Sequence, residues 1–351
     1  MGRIAGRFSR FEPRLRAARL VLGLLSDLPR KNCWTIAEWA GEANPHGMQH
    51  LLCRASWDAD AVREYVVEHL CDQEAVLVVD ETGDVKKGVH TGGVQRQYTK
   101  PELARRMIER FLVAGHRVGW VAGDEVYGGN PKLRSALEER GLGYVLAVAC
   151  SAEVTTNAGA FRADTLAAKV PKRAWQKLSA GAGAKGNRFY DWAVIDLAET
   201  GPGHRHLLIR RNRRTSELAY YRCHSTRPVP LTTLVRVAGS RWRVEETFQT
   251  EKGLAGLDEH QLRRCPSWAR WVTLAMLVHA FLAVVRADEH TRLATDDLIP
   301  LTCNEIQHLF IALAVRPLST AAHRLSWSEW RRRHQARSRT GHYRRQAANQ
   351  T

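Results

Sequence analysis

The chain has 351 residues, 44% of them hydrophobic and 25% charged, a balance that supports a buried core and excludes wholesale disorder. Lysine and arginine number 53 against 36 acidic residues, a formal charge of +17 that favours a polyanionic partner, nucleic acid first and an anionic membrane surface second. The seven cysteines are scattered with no C-x-x-C pair, which excludes a zinc-ribbon pattern and a disulfide framework and fits a reducing cytoplasm.

The N-terminus carries arginine at positions 3, 7, 10, 14, 16 and 19 without an apolar core, so no secretory signal is expected. Residues 1–72 read as helical and form a candidate DNA-binding domain. Residues 14–25 are amphipathic and break at Pro29; segments 35–40 and 47–54 come next, joined by a Gly/Asn/Pro turn; Asp58 then caps a helix that runs to residue 70. The middle pair fits a helix-turn-helix and equally a plain packing module. Residues 75–80 (A-V-L-V-V-D) are an apolar β-branched run that ends in a carboxylate, the pattern of a buried strand delivering an acid at its tip. A Gly/Lys-rich loop over 83–99 leads into a helix with Pro101 in its first turn. Strand 118–122 again ends in an acid, Asp124; a helix over 131–140 and a strand over 144–149 complete a parallel α/β unit with right-handed crossovers.

Residues 179–186 read as an Ala/Gly-rich linker, and 188–195, 204–209 and 219–224 as short antiparallel strands. From residue 231 the chain is helical again, most clearly over 239–252, 267–285 and 303–315. The apolar run 271–285 contains His279 and is too short to span a bilayer, so it reads as a buried helix with a core histidine. Residues 324–345 hold eight arginines and one glutamate.

In a parallel sheet, reactive groups collect at the carboxyl ends of the strands. Asp80 and Asp124 both fall there, and neighbouring strands about 4.8 Å apart would let them share a hard cation. Each is equally a turn former or helix cap that needs no cation. Between 241 and 252, Arg241, Glu245, Phe248 and Lys252 share one helical face. A carboxylate flanked by two cations suits a metal ligand whose neighbours grip phosphate; ordinary solvated ion pairs give the same pattern. Trp242 reads as a core residue, with stacking on an unpaired base as the alternative. His204 and His206 lack a third metal partner, Cys150 lacks a base, and Gly181-x-Gly183-x-x-Gly186 follows no buried strand, so none of these marks a site.

The segments V-V-D-E-T-G-D-V-K-K-G (78–88), G-V-Q-R-Q-Y (93–98), G-D-E-V-Y-G-G-N-P (123–131), R-W-R-V-E-x6-K (241–252) and W-S-E-W-R-R-R-H-Q-A-R (327–337) occur in that order. In them the chain resembles the DDE-type transposases of bacterial insertion sequences, on the branch with a Tyr-x2-Arg-x3-Glu-x6-Lys signature. The resemblance implies a ribonuclease H-like α/β core with a small β insertion. Asp80, Asp124 and Glu245 would be its catalytic and metal-holding acids, on two Mg²⁺ ions with Mn²⁺ as a substitute. It implies strand cleavage and strand transfer on double-stranded DNA, at terminal inverted repeats and into target DNA. Lys86, Lys87, Arg96, Arg241 and Lys252 would grip phosphates, aided by Arg331, Arg332 and Arg333 of the basic tail. It implies a cytoplasmic, nucleoid-associated protein without a membrane partner, and it leaves a homodimer open.

Two departures stand out. Ala238 occupies the signature's tyrosine position, and Tyr98-Thr-Lys-Pro101 leads straight into a helix where relatives carry the second and third strands of the sheet. The expectation is therefore an internally deleted, inactive copy with a reduced sheet and its first strand left on the edge. Its domains would be 1–72 helical, 73–186 core, 187–224 β insertion, 225–316 the helical remainder carrying Glu245, and 317–351 basic tail. Against the cleavage and strand transfer that the resemblance implies stand two competing expectations, a non-catalytic DNA-binding remnant and a stand-alone basic nuclease.

Overall fold

The computed structural model describes residues 2–70, 75–80, 99–183, 186–261, 264–292, 299–315 and 319–348. They fall into a helical unit, built from Met1–Leu70 and Phe248–Thr351, and a sheet unit that includes Val94–Thr247.

Four helices open the chain: α1 (Phe11–Leu25), α2 (Cys33–Trp39), α3 (His46–Cys53) and α4 (Ala59–Leu70). α2 starts two residues before the expected Thr35 because Asn32 caps it. The Asn32 side chain accepts the Trp34 and Thr35 amides, and the Thr35 hydroxyl accepts the Asn32 amide. Asp58 accepts the Ala61 amide at 3.0 Å at the head of α4, as its position predicts. Ile36 and Ala37 of α2 and Met48, Leu51 and Leu52 of α3 are fully buried, which favours the packing-module reading of this pair.

In the sheet unit, β1 (Val76–Val79), β2 (Trp120–Gly123) and β3 (Gly143–Val148) are parallel neighbours. α5 (Lys100–Val113) joins the first two, and α6 (Glu125–Gly128) with α7 (Pro131–Glu139) joins the next. This is the expected strand–helix order. Strand alternation divides the side chains: Leu77, Val79, Val121, Tyr144 and Leu146 pack against α5, α6 and α7, while Val76, Val78, Ala122 and Val145 face the opposite core.

Beyond β3 the chain departs from expectation. The hairpin of β4 (Glu153–Thr156) and β5 (Gly159–Arg162) and the short α8 (Ala163–Ala168) lie in a stretch with no element expected from the sequence. Then β6 (Gln176–Gly183), β7 (Gly186–Asp196), β8 (His204–Arg211) and β9 (Leu218–Ser225) form an antiparallel meander. β9 pairs with β3, so the meander extends the main sheet in the order β1-β2-β3-β9-β8-β7-β6. The antiparallel strands are thus a continuation of the parallel sheet.

The Ala/Gly-rich stretch is strand β6. Its glycines accommodate a register shift between Ser179 and Ala182, with Gly181 at φ +105°. α9 (Leu231–Ala255) covers this face and buries Leu234, Val235, Val237 and Ala238 with Trp192, Leu208 and Cys223. At the other end β1 is the edge strand: among the described residues no strand lies beyond it, and all four of its apolar residues are only half-buried.

α10 (Cys265–Arg292), α11 (Cys303–Leu313) and α12 (Ala321–Ala348) complete the helical unit. By length and composition α10 could cross a membrane, but here Trp271, Leu274, Ala275, Val278 and Leu282 form the core with α1–α4. The segment read as a basic tail is a continuous helix. It is anchored by Trp327, 1% exposed, and by Trp330, which packs on His334 and Trp34.

Candidate active site

β1 and β2 run in register, with Val79 opposite Gly123. Asp80 and Asp124, the next residue on each strand, therefore leave the sheet side by side at its carboxyl edge, on backbones about 4.8 Å apart. Asp124 also caps α6, where its Oδ1 accepts the Val126 amide at 2.9 Å. That bond fixes the side chain and uses one of its oxygens. α6 lies tight on β3: a Cβ at Gly128 would come within 1.9 Å of the Ala147 carbonyl oxygen. The aspartate is therefore held by a turn that tolerates no side chain at that point.

Glu245 sits elsewhere. Its side chain is 54% exposed and lies 3.7 Å from the Arg241 guanidinium one turn earlier. The surrounding part of α9 is tied to the far strands of the sheet. Glu246 pairs with Arg188 of β7 at 3.7 Å, and the Trp242 ring lies under the guanidiniums of Arg188 and Arg210 at 5.7 and 5.9 Å. Trp242 is 37% exposed, so the expected core role is corrected: cations, rather than apolar neighbours, cover its ring. Among the described residues no three His, Cys, Asp or Glu side chains converge to hold a metal. The structure places Asp80 beside Asp124 and does not bring Glu245 to them.

Ala238, at the signature's tyrosine position, is buried against the sheet, so it offers nothing to DNA. Lys252 is exposed near the end of α9, while Lys86, Lys87 and Arg96 lie outside the described residues. In α12, Arg331 pairs with Glu38 and Arg333 with Glu329 at 2.5 Å, whereas Arg332 is exposed. Arg188, Arg210 and Arg241 each bury an Nε with no hydrogen-bond partner. Burial pushes the Tyr221 hydroxyl up against the opposing pull of Arg210 and Arg241. Arg188 of β7 and Arg210 of β8 thus bring guanidiniums with unfilled hydrogen-bonding capacity against the middle of α9, beside Arg241.

Sequence reasoning missed a cavity of about 550 Å³ at the carboxyl ends of β2 and β3, lined by Glu125, Arg134, Val148, Glu153 and Arg222 among others. Burial, then the nearby Arg134, holds the Arg222 pKa down, and Arg222 bonds Glu199. Nothing local signals this wall, because Arg222 reaches the edge only through the β3–β9 pairing. Histidines expected to be inert have local partners: His279 lies 3.4 Å from the buried Glu251, and His206 lies 2.8 Å from Asp196.

Residues 5–100 and 99–176 match the family model described as DDE superfamily endonuclease, in two pieces that meet where the sequence runs straight from the first acidic block into α5. A probable transposase for insertion sequence element IS701 from Microchaete diplosiphon is 28% identical over 179 residues, 37% of this chain and 47% of the relative. The chain thus matches about half the length of that curated relative. The cryo-EM structure of the piggyBac transposase synaptic complex with hairpin DNA aligns with 91% of this chain and 76% of its own, at 12% identity and a TM-score of 0.39, a likeness too loose to carry an argument. Asp80 and Asp124 lie in the first and third of the sequence blocks and within the matched residues, and the chain is similar to DDE superfamily endonucleases over residues 5–176 and to an insertion-sequence transposase over 37% of its length.

Proposed function

We propose that this chain is a DDE-type transposase that performs metal-dependent DNA cleavage and strand transfer at insertion-sequence ends, with Asp80, Asp124 and Glu245 as its acids. The observation that carries the reading is the register of β1 and β2, which sets two hard oxygen donors side by side at the carboxyl edge of a parallel sheet. Two aspartates fit Mg²⁺, which proteins usually hold with one or two carboxylates plus substrate phosphates; Mn²⁺ takes the same donors. A divalent cation bound there supplies Lewis acidity to an in-line phosphoryl transfer. Asp80 and Asp124 would hold the first ion, and Glu245 would join the set for a second only through a shift of α9 against the sheet. Arg241, Lys252 and Arg332 would neutralise phosphates, as would Lys86, Lys87 and Arg96.

The core is read as ribonuclease H-like, with β1, β2 and β3 as its first, fourth and fifth strands, acting in the bacterial cytoplasm on inverted repeats and target DNA. Nicking of a supercoiled plasmid carrying the terminal repeats tests the function. The expected result is Mg²⁺-dependent nicking that Asp80→Asn and Asp124→Asn abolish.

A second reading, a shortened copy that binds DNA without cutting it, is favoured by specific observations. Among the described residues β1 stands on the edge of the sheet and Glu245 forms no metal-holding group with the aspartates. The 179 aligned positions exceed what 37% of 351 residues can fill, so the relative carries residues within the aligned stretch that this chain lacks. DNA binding by the full chain without nicking in Mg²⁺ or Mn²⁺ would select this second reading. Nicking without strand transfer would select a stand-alone nuclease.

A further inference from the structure

The antiparallel half of the sheet has a face that the catalytic reading leaves unused. Leu178, Ala180, Tyr190, Trp192 and Leu208 belong to the core under α9, so the alternate residues Lys177, Phe189, Asp191 and Arg211 point the other way. On that outer side a small core built from the β4–β5 hairpin and α8 takes in Leu207 and Ile209 and reaches Trp175 at its margin. Phe189, on the same side, is 46% exposed.

This area is cationic, and its cations are held in place. The Lys177 ammonium stands 4.9 Å from the Phe189 ring centre, and the Arg211 guanidinium 4.2 Å from that of Trp175. Asp191 meets Arg211 at 3.1 Å and Arg213 at 3.3 Å, so one carboxylate is shared between two guanidiniums and is also the cross-strand partner of Lys177. Lys172, Arg173 and Arg214 flank the same residues in the chain and are exposed. Ring contacts orient a cation without cancelling its charge. Fixed positive charge that a single carboxylate only partly balances, beside an exposed aromatic ring, suits a phosphodiester backbone, with a sugar or base against the ring.

We infer that the outer face of β6, β7 and β8 is a second DNA-binding surface, which grips the phosphodiester backbone away from the Asp80–Asp124 edge. The identity of the polyanion rests on the DNA-processing function proposed above; the inference does not depend on which acids are catalytic. β6 and β7 lie at the opposite end of the sheet order from β1, so this face serves a stretch of DNA other than the scissile one.

The test measures the salt dependence of DNA binding by the full chain, by fluorescence anisotropy with a duplex and with a single-stranded oligonucleotide. Lys177→Gln with Arg213→Gln is compared with Arg117→Gln with Lys132→Gln, which removes the same charge from exposed positions of the same unit. The expected result is a slope of log K against log salt that falls by about 1.8 for duplex DNA, or about 1.4 for single strands, in the first pair only. The charge-conserving Lys177→Arg with Arg213→Lys restores the slope, which assigns the loss to charge rather than to misfolding. The arm that shows the loss identifies the form of DNA bound. Unchanged slopes in both arms, or an equal loss in the comparison pair, would overturn the inference. Asp80→Asn, which tests the catalytic reading, is expected to leave these slopes intact.

Discussion

Asp80 and Asp124 could be read from the sequence because each ends a short apolar run, and a strand that delivers a carboxylate at its tip needs no tertiary information to be recognised. The position of Glu245 could not, because α9 is pinned by Arg188 and Arg210, whose contacts with Glu246 and Trp242 join residues far apart in the chain. Glu251, one turn and a half further on, makes a separate prediction. Burial lifts its carboxyl to about 7, facing His279, whose own pKa burial pushes down. An unfolded glutamate ionises near 4.3. The native state therefore binds more protons than the unfolded chain from about pH 4.5 to about pH 7, and this group's contribution to stability is lost as pH rises through about 7. His279 acts in the opposite sense, adding stability as pH rises towards its unfolded value of about 6.5. In urea titrations, Glu251→Gln should gain stability relative to the unmodified chain between about pH 5 and about pH 8. A difference independent of pH would contradict the buried-carboxyl account.

At the level of elements, the helices and parallel strands were legible because caps, prolines and apolar runs are local signals. The β6 strand was not. Its glycines look like a linker, and only pairing with β7 and contact with α9 show that small residues are needed for close approach. A Cβ at Gly239 would lie 1.9 Å from the Ala180 carbonyl oxygen. Gly239→Ala should therefore lift α9 from β6, and Gly128→Ala should lift α6 from β3, each costing about 1–3 kcal/mol in thermal or urea unfolding. Gly253→Ala, with nothing near its Cβ, is the control and should be neutral or stabilising. The C-terminal helix was hidden for a related reason. Its arginines read as a solvated tail, yet Trp327 and Trp330 fasten its first half to the helical unit. Trp327→Ala should cost about 3–5 kcal/mol, and a loss smaller than about 1 kcal/mol would show that this anchor is dispensable.

For the whole molecule, the +17 charge and the order of the sequence blocks pointed to a DNA-processing enzyme, and the match of residues 5–176 to the DDE superfamily endonuclease model agrees. The continuity of the seven-stranded sheet was beyond the sequence, since it depends on β9 returning to β3. The position of β1 has a physical consequence: with no strand beyond it among the described residues, four half-buried apolar residues on a sheet edge favour intermolecular strand pairing. Val78→Lys should reduce light scattering at high protein concentration, and unchanged scattering would mean that the edge is covered. In the proposed function, cutting of DNA would require first that the two adjacent aspartates form a cation site. Titration of the full chain with Mn²⁺, followed by electron paramagnetic resonance, measures this most directly. Bound Mn²⁺ should disappear in Asp80→Asn and in Asp124→Asn and persist in Glu246→Gln; identical titrations in all four proteins would contradict the assignment of the site.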